Sequence, residues 1–143
     1  MIRQVLRVLM AVLYAYAGYR HLVGPAPFLR ITPGWVPQPE AVVALTGLAE
    51  IAGAIGLLQP VSLRLRQAAG VGLALYALCV WPANVNHMQM DLALPGGGWG
   101  MAYHVPRMAL QPVLIWLALW VGQVTDWPFG RRKRSQSSLP PTP

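Results

Sequence analysis

One segment of this chain limits the folds open to it more than any other. It runs from Pro39 to Pro60, PEAVVALTGLAEIAGAIGLLQP, and its eighteen residues from Ala41 to Leu58 include a single charged side chain, that of Glu50. At about 1.5 Å per residue, such a helix crosses a hydrocarbon layer of roughly 30 Å when it stands nearly upright. A carboxylate at that depth is costly unless it is protonated or faces polar groups inside a bundle. The segment therefore predicts a membrane-spanning helix with a functional residue near its middle.

Composition agrees with a membrane location. The 143 residues are 55% hydrophobic and 10% charged, which is typical of one small membrane domain and not of a water-soluble one. The formal net charge is +7, but the basic residues flank apolar segments, where they act as topology signals and lipid contacts. We therefore predict a lipid bilayer as the partner and no nucleic acid. A single cysteine, Cys79, excludes an intramolecular disulfide and a CxxC redox pair.

The first apolar segment, Ile2 to Leu22, predicts a helix with Arg3 and Arg7 near one membrane surface and three tyrosines towards the other. A secretory signal peptide is the competing interpretation, with Ala15-Tyr16-Ala17 as its cleavage site. The three later spans favour retention as a first helix. The proline-rich stretch from Gly24 to Glu40 then predicts a loop at the membrane interface.

Two more spans are predicted after the central helix. The third runs from about Gln67 to Trp81 and is disturbed by Pro82-Ala83-Asn84, after which a glycine-rich connection passes through Leu94 to Trp99. The fourth begins near Arg107 and ends at about Val124. The fold class predicted is thus all-α, a four-helix transmembrane bundle formed by residues 1–127. Residues 128–143 predict a basic, disordered tail.

The distribution of basic residues predicts the orientation. With four spans, eight of the eleven Lys and Arg residues fall on the side of the termini and three on the other side. Both termini are therefore predicted in the cytoplasm. The same topology gathers polar side chains at the non-cytoplasmic face, with Glu50 roughly 15 Å deeper than Glu40. We predict there a cavity open outward and closed by Glu50. The residues gathered at this face are Arg20, His21, Asn84, His87, His104, Arg107 and Gln111.

Each of these residues also has a structural interpretation. Glu50 could pair with Arg107 or accept hydrogen bonds from Gln111 as a clasp between helices. The histidines could cap helix ends, and the arginines could extend to lipid headgroups. We predict no metal site, because the sequence holds neither an HxxxH nor an HExxH spacing.

The run from Gly18 to Pro60, followed by VWPANVNHM and RMALQPVLIW, resembles the DoxX family of small bacterial four-helix membrane proteins. The resemblance covers the chain to about Trp120, and Leu22 departs from the aromatic residue often found after the family's histidine. It implies a multi-pass protein of the bacterial inner membrane that is associated with redox chemistry, but it implies no reaction. The matching positions are His21, Pro25, Phe28, Ile31, Pro33, Trp35, Pro37, Glu50, Gly53, Gly56, Pro60, Pro82, Ala83, Asn84, Arg107 and Gln111.

Two functions remain open at this point. In the first, the protein is an accessory subunit of a membrane oxidoreductase that binds quinone or a small lipophilic ligand. Glu50 and His21 would relay protons as its catalytic groups, and a membrane or periplasmic redox partner would supply electrons. The predicted ligand-binding residues are Asn84, His87, Arg107, Gln111 and Arg20.

In the second function, the protein is a non-enzymatic scaffold or chaperone whose small-residue helix faces dock other membrane proteins. A transporter is third, because one four-helix protomer offers room for alternating access only if it dimerises, and a homo-oligomer is compatible with the sequence.

Overall fold

The structure, a computed structural model, describes residues 1–130, and every regular element within that range is a helix. The predicted all-α class is therefore confirmed for the described residues. The tail prediction for residues 131–143 lies outside them. The helices are α1 Ile2–Val23, α2 Ala26–Ile31, α3 Pro39–Leu58, α4 Leu63–Cys79, α5 Trp81–Leu92 and α6 Gly100–Val121.

Three segments within residues 1–130 are long and apolar enough to cross a membrane: α3, the continuous stretch Leu63–Leu92 formed by α4 and α5, and α6. Large apolar side chains, such as those of Leu45, Ile55 and Val113, point outward from these segments. An apolar exterior of this extent requires lipid around it. These helices indicate a membrane protein. Helix α1 has 22 residues but carries three arginines, which lower its hydropathy, so its role as a fourth span remains a prediction.

The ends of the third and fourth apolar segments differ from the sequence prediction. The helix does not stop near Trp81, since α5 continues to Leu92, and α6 begins at Gly100, well before Arg107. Pro82 sits in the first turn of α5, where a missing N–H costs no helical hydrogen bond. Helical hydrogen bonds join Val80 N–H to the Tyr76 carbonyl and Asn84 N–H to the Val80 carbonyl, and these two bonds continue the helix across the junction.

The stretch predicted as an interfacial loop contains a short helix, α2. Pro25 precedes its first turn, and the backbone leaves the helix at Thr32, whose N–H bonds to the Phe28 and Leu29 carbonyls. Left-handed backbone at Gln38, with φ of 46°, then redirects the chain into α3. Prolines at the starts of α2 and α3 are therefore compatible with these helices, because they lie in the first turn.

The helices pack in the order α1, α3, α4, α6, and α6 also contacts α1. Glycines allow the close approaches in this ring. A Cβ atom added at Gly18 of α1 would lie 2.5 Å from the Gly47 carbonyl oxygen of α3. On the other side of α3, Gly53 fits against the Leu73 side chain and Gly56 against that of Ala69. The core between the helices includes Met10, Ala11, Tyr14, Leu57, Leu73, Ala118 and Val121.

Polar contacts join the two ends of the described chain. Arg3 pairs with Asp126 at 2.6 Å, and the Arg7 Nε donates to the Val121 carbonyl at 3.0 Å. Arg66 at the start of α4 donates to the Gln123 side chain at 2.9 Å. We call this end of the bundle the terminal end, and we call the opposite end, which carries α2 and residues 93–99, the loop end.

Replacing Gly18 by Ala is expected to lower the free energy of unfolding by about 1–3 kcal/mol, because the new methyl group would meet the backbone of α3. Chemical unfolding in detergent, followed by circular dichroism, measures the change. Gly72→Ala is the matched control, since a Cβ there meets no atom within 4 Å and alanine favours a helix by about 1 kcal/mol. Equal stability of the two variants would contradict the proposed close contact.

Candidate functional site

A cavity of about 560 Å³ opens among the helices on the loop-end side of the core. Its walls are mainly apolar and include Phe28, Val43, Leu110 and Leu114. A pocket of this size with few polar groups is typical of a binding site for a small molecule. The polar side chains that line it are Tyr14, His21, Thr32, Thr46, Glu50, Tyr76, Asn84, Arg107 and Gln111.

Five of the seven residues predicted as site residues line this single cavity: His21, Glu50, Asn84, Arg107 and Gln111. They come from α1, α3, α5 and α6, so the bundle brings together residues that are far apart in the sequence. The prediction of a cavity with Glu50 in its wall therefore agrees with the geometry. The functional roles assigned to these residues remain predictions.

The other two predicted residues lie elsewhere. His87 is outside the cavity lining, although its Nδ1 is hydrogen-bonded to the Arg107 guanidinium. Arg20 is exposed and donates to the Tyr16 hydroxyl at 3.2 Å. Successive residues of a helix point about 100° apart, so Arg20 turns outward when the neighbouring His21 faces α3. The sequence prediction placed Arg20 at the site, and the structure does not.

Glu50 is buried, with 2% of its surface exposed. Its Oε2 atom lies 3.7 Å from the His21 Nδ1 and has no hydrogen-bond partner among residues 1–130. The Tyr76 phenol lies beside the same carboxyl group. Within the described residues, neither Arg107 nor Gln111 forms an ion pair or hydrogen bond with Glu50, so neither acts as the clasp considered above. An unpartnered buried carboxyl oxygen leaves hydrogen-bonding capacity for a ligand.

His21 is held in one orientation. Its Nδ1 lies 3.1 Å from the Thr46 hydroxyl oxygen, and that hydroxyl donates its only hydrogen to the Val43 carbonyl at 2.8 Å. The Thr46 oxygen must therefore accept from His21, which places a proton on Nδ1. The ring also packs on Phe28, with centroids 3.8 Å apart. His21 thus presents a fixed N–H close to the Glu50 carboxyl group.

A second polar group lies on α5 and α6, and α6 is diagonal to α3 in the bundle. Asn84 and Gln111 are both buried, and the Gln111 Oε1 has no hydrogen-bond partner in the described chain. Arg107 is half-buried, and its guanidinium also lies over the Tyr103 ring, 5.8 Å from its centroid. The cavity therefore brings together an acid and an imidazole from α3 and α1, and amides and a guanidinium from α5 and α6. Such a pair of polar sites can bind the two ends of a small polar group.

No cluster of three or more His, Cys, Asp or Glu side chains in residues 1–130 is arranged to hold a metal ion. The Cys79 thiol is free and lines the cavity at its α4 wall. The side chains that line the cavity can supply hydrogen bonds, proton transfer and a thiol group.

Four of the polar lining residues, Tyr14, Thr32, Thr46 and Tyr76, were missed by the sequence analysis, and the spacing of Tyr14 and Thr46 offered a signal. Thr46 precedes Glu50 by four residues, which puts both on one face of α3. Tyr14 precedes His21 by seven residues, or about two turns, on α1. Tyr76 has no comparable neighbour in α4, and only the packing of α4 on α3 places it beside Glu50.

A buried histidine–aspartate hydrogen bond near the loop end was also missed. The fully buried His104 Nε2 lies 2.9 Å from the Asp91 Oδ2, which also accepts the Trp99 N–H at 2.7 Å. Gly98, with φ of 55°, lies so close to the carboxylate that a Cβ would overlap it. In the sequence analysis the last helix began near Arg107, which left His104 in the preceding loop. The pair fixes the connection between α5 and α6.

Replacing Asp91 by Ala removes the acceptor for both the His104 ring and the Trp99 N–H, so the connection should open more often. We expect chymotrypsin to cleave after Trp99 about tenfold faster than in the wild type, because cleavage follows the open population. Asp126→Ala, which removes an exposed carboxylate from the terminal end, is the control. Equal cleavage rates in the two variants would show that the buried pair does not hold the loop.

Known proteins offer one comparison. The sequence model of a family described as "Domain of unknown function (DUF8561)" matches residues 10–122, which include the cavity and all of its polar residues. Among curated proteins and among solved structures, none matches the chain. Because the matched range covers most of its length, the chain belongs to the DUF8561 family.

Proposed function

We propose that this protein is a four-span protein of the bacterial inner membrane that binds a small lipophilic molecule with a polar head, of the quinone type, in the cavity beside Glu50. The observation that carries the proposal is a mainly apolar cavity of about 560 Å³ with a buried, unpartnered carboxyl oxygen in its wall. Apolar walls favour a lipophilic molecule, and the carboxyl group favours one that can share a hydrogen bond with it.

The two polar groups of the cavity suit a head with oxygen atoms at opposite edges. The Asn84 and Gln111 amides and the Arg107 guanidinium can donate to one oxygen. The His21 imidazole and the Glu50 carboxyl group lie beside the position of the other. A neutral head of this kind also avoids the cost of burying a charge in a mainly apolar cavity.

Reduction of a quinone to a hydroquinone consumes two electrons and two protons. Glu50 and His21 would hold and transfer the protons on their side of the cavity, since their side chains are 3.7 Å apart and both line it. The residues that line the cavity include no redox cofactor ligand set of the metal-binding kind. Electrons would therefore come from a membrane or periplasmic redox partner, and the protein would act as an accessory subunit.

The resemblance to the DoxX family, together with the charge distribution, supports the proposed topology. In this topology α1 also crosses the membrane, in addition to the three segments found above, and the terminal end lies in the cytoplasm. Arg3, Arg7, Arg64 and Arg66 belong to the terminal end, and an excess of basic residues favours the cytoplasmic side. The cavity then opens towards the non-cytoplasmic side, where the loop end lies.

The scaffold hypothesis has less support. It relied on small-residue faces that would be free to dock other proteins. The Gly53 and Gly56 faces of α3 instead contact α4 of the same chain, and Gly47 contacts α1. These surfaces are used in forming the bundle.

The proposal predicts that Glu50→Gln weakens binding of a benzoquinone analogue by at least about tenfold, because a hydrogen bond to a charged group is replaced by one to an amide. Titration of the purified full-length protein in detergent, read by quenching of tryptophan fluorescence, measures the affinity. Glu40→Gln is the matched control, because Glu40 lies exposed at the start of the same helix. Unchanged affinity in Glu50→Gln would contradict the proposed site.

The proposed topology predicts opposite accessibility for the two ends of the bundle. In a Cys79→Ser background, Leu94→Cys at the loop end should react with an impermeant maleimide in intact bacterial cells. Val61→Cys, between α3 and α4, should react only after lysis, and Val61 is 88% exposed in the structure. The reverse pattern would invert the orientation and would direct the cavity to the cytoplasm.

A further inference from the structure

A second hollow lies on the outside of the bundle, against the junction of α4 and α5. We call it the outer groove. Its helical wall is a stripe made by Leu78, Trp81, Pro82 and Val85, and its other wall is the segment after α2, with Pro33 and Trp35. The volume is about 560 Å³, similar to that of the cavity.

The outer groove adjoins the cavity. Pro33, Trp35 and Pro82 line both hollows, so these side chains form the boundary between them. The position of the boundary segment is fixed by Asn86, whose amide donates to the Ile31 carbonyl at 2.9 Å. A molecule in the cavity therefore has a neighbouring surface on which a further part of it can lie.

The outer groove faces the surroundings of a membrane-spanning segment. The stretch Leu63–Leu92, which supplies its helical wall, is one of the three spans found above. Leu78 and Trp35 are both exposed, the first by 51% and the second by 74%. Six of its eight lining side chains are apolar, and the two polar ones, Asn86 and Gln89, carry no charge. A hydrocarbon chain matches a groove of this composition on the outside of a membrane-spanning segment.

We propose that the outer groove binds the hydrocarbon tail of the same molecule whose polar head occupies the cavity, an inference that rests on the proposed function. The ligand class is then a tailed, neutral quinone that reaches the cavity from within the bilayer, past Pro33 and Trp35. A phospholipid is the competing occupant. Its phosphate would carry a full charge into a cavity with mainly apolar walls, whereas a quinone head is neutral, and this difference favours the quinone.

Two quinones with the same head, one with a tail and one without, distinguish binding of the tail from binding of the head. They are 2,3-dimethoxy-5-methyl-1,4-benzoquinone and its 6-decyl derivative, each titrated against the full-length protein in the same detergent. Val85 lines the outer groove and not the cavity, so Val85→Trp reduces the volume of the outer groove from the wall that faces away from the cavity lining. It should weaken binding of the decyl compound about tenfold, the effect of losing contact with about two methylene groups, and change that of the tailless compound less than about twofold.

Val12→Trp is the matched control, because Val12 is an exposed valine of α1 that lines neither hollow. It should leave the affinity for both compounds unchanged. Two results would overturn the proposal that the outer groove binds the tail: Val85→Trp weakens binding of both compounds equally, or it changes neither. Both results leave the proposed binding of the head intact. Failure of both compounds to bind the wild type would overturn the proposed function and this inference together.

Photolabelling is a second measurement that needs no variant. A decyl quinone with a diazirine at the end of its tail should label residues 78–89, and unlabelled decyl quinone should compete. Labelling spread over all lipid-facing helices would overturn the proposal. So would labelling of residues 78–89 by a diazirine phospholipid that excess decyl quinone fails to displace, because the outer groove would then be a lipid contact.

Discussion

The close approach of α1 and α3 is the constraint on which the rest of the bundle depends. Gly18 and Gly47 let the two backbones meet, and no larger side chain fits at Gly18 without displacing a carbonyl group of the opposite helix. Lipid supplies little hydrophobic driving force between helices, so close packing of this kind is what holds them together. The same contact sets His21 one turn beyond Gly18, directly against Thr46 and Glu50. The contact between α1 and α3 therefore determines both how these helices pack and where His21 lies relative to Thr46 and Glu50.

The cavity exists because the helix order keeps α3 and α6 diagonal to each other. Side chains fill the centre of the ring near the terminal end, where Leu57, Ala118 and Val121 are fully buried. Towards the loop end, polar side chains face inward among the apolar ones, and a hollow remains. A polar group buried without a partner carries a cost of about 1–3 kcal/mol, and both Glu50 and Gln111 have such an atom in the described structure. These atoms are free to bind a ligand, and leaving them without a partner lowers the free energy of unfolding.

Much of the framework could be predicted from the sequence. The bounds of α1 and α3 were correct within a residue or two, because prolines, glycines and charges limit their apolar runs. The order and direction of the predicted spans were sufficient to predict that Glu50, His21 and Gln111 lie in the same part of the bundle. The position of Tyr76 beside Glu50 could not be predicted, since α3 is apolar on almost every side and periodicity does not reveal its rotation. Asp91 and its pairing with His104 were missed because a proline ends a helix in some contexts and begins one in others, and local sequence does not distinguish them.

The polar contacts at the terminal end have a consequence for biogenesis. Arg3 and Arg7 in the first helix bind Asp126 and the Val121 carbonyl, which the ribosome adds more than a hundred residues later. Until the last helix has entered the bilayer, the guanidinium groups of the first helix lack these acceptors, and the ring of helices stays open along that seam. Assembly is therefore completed by synthesis of the final span, and a chain interrupted before it would expose an unsealed side to quality-control proteases.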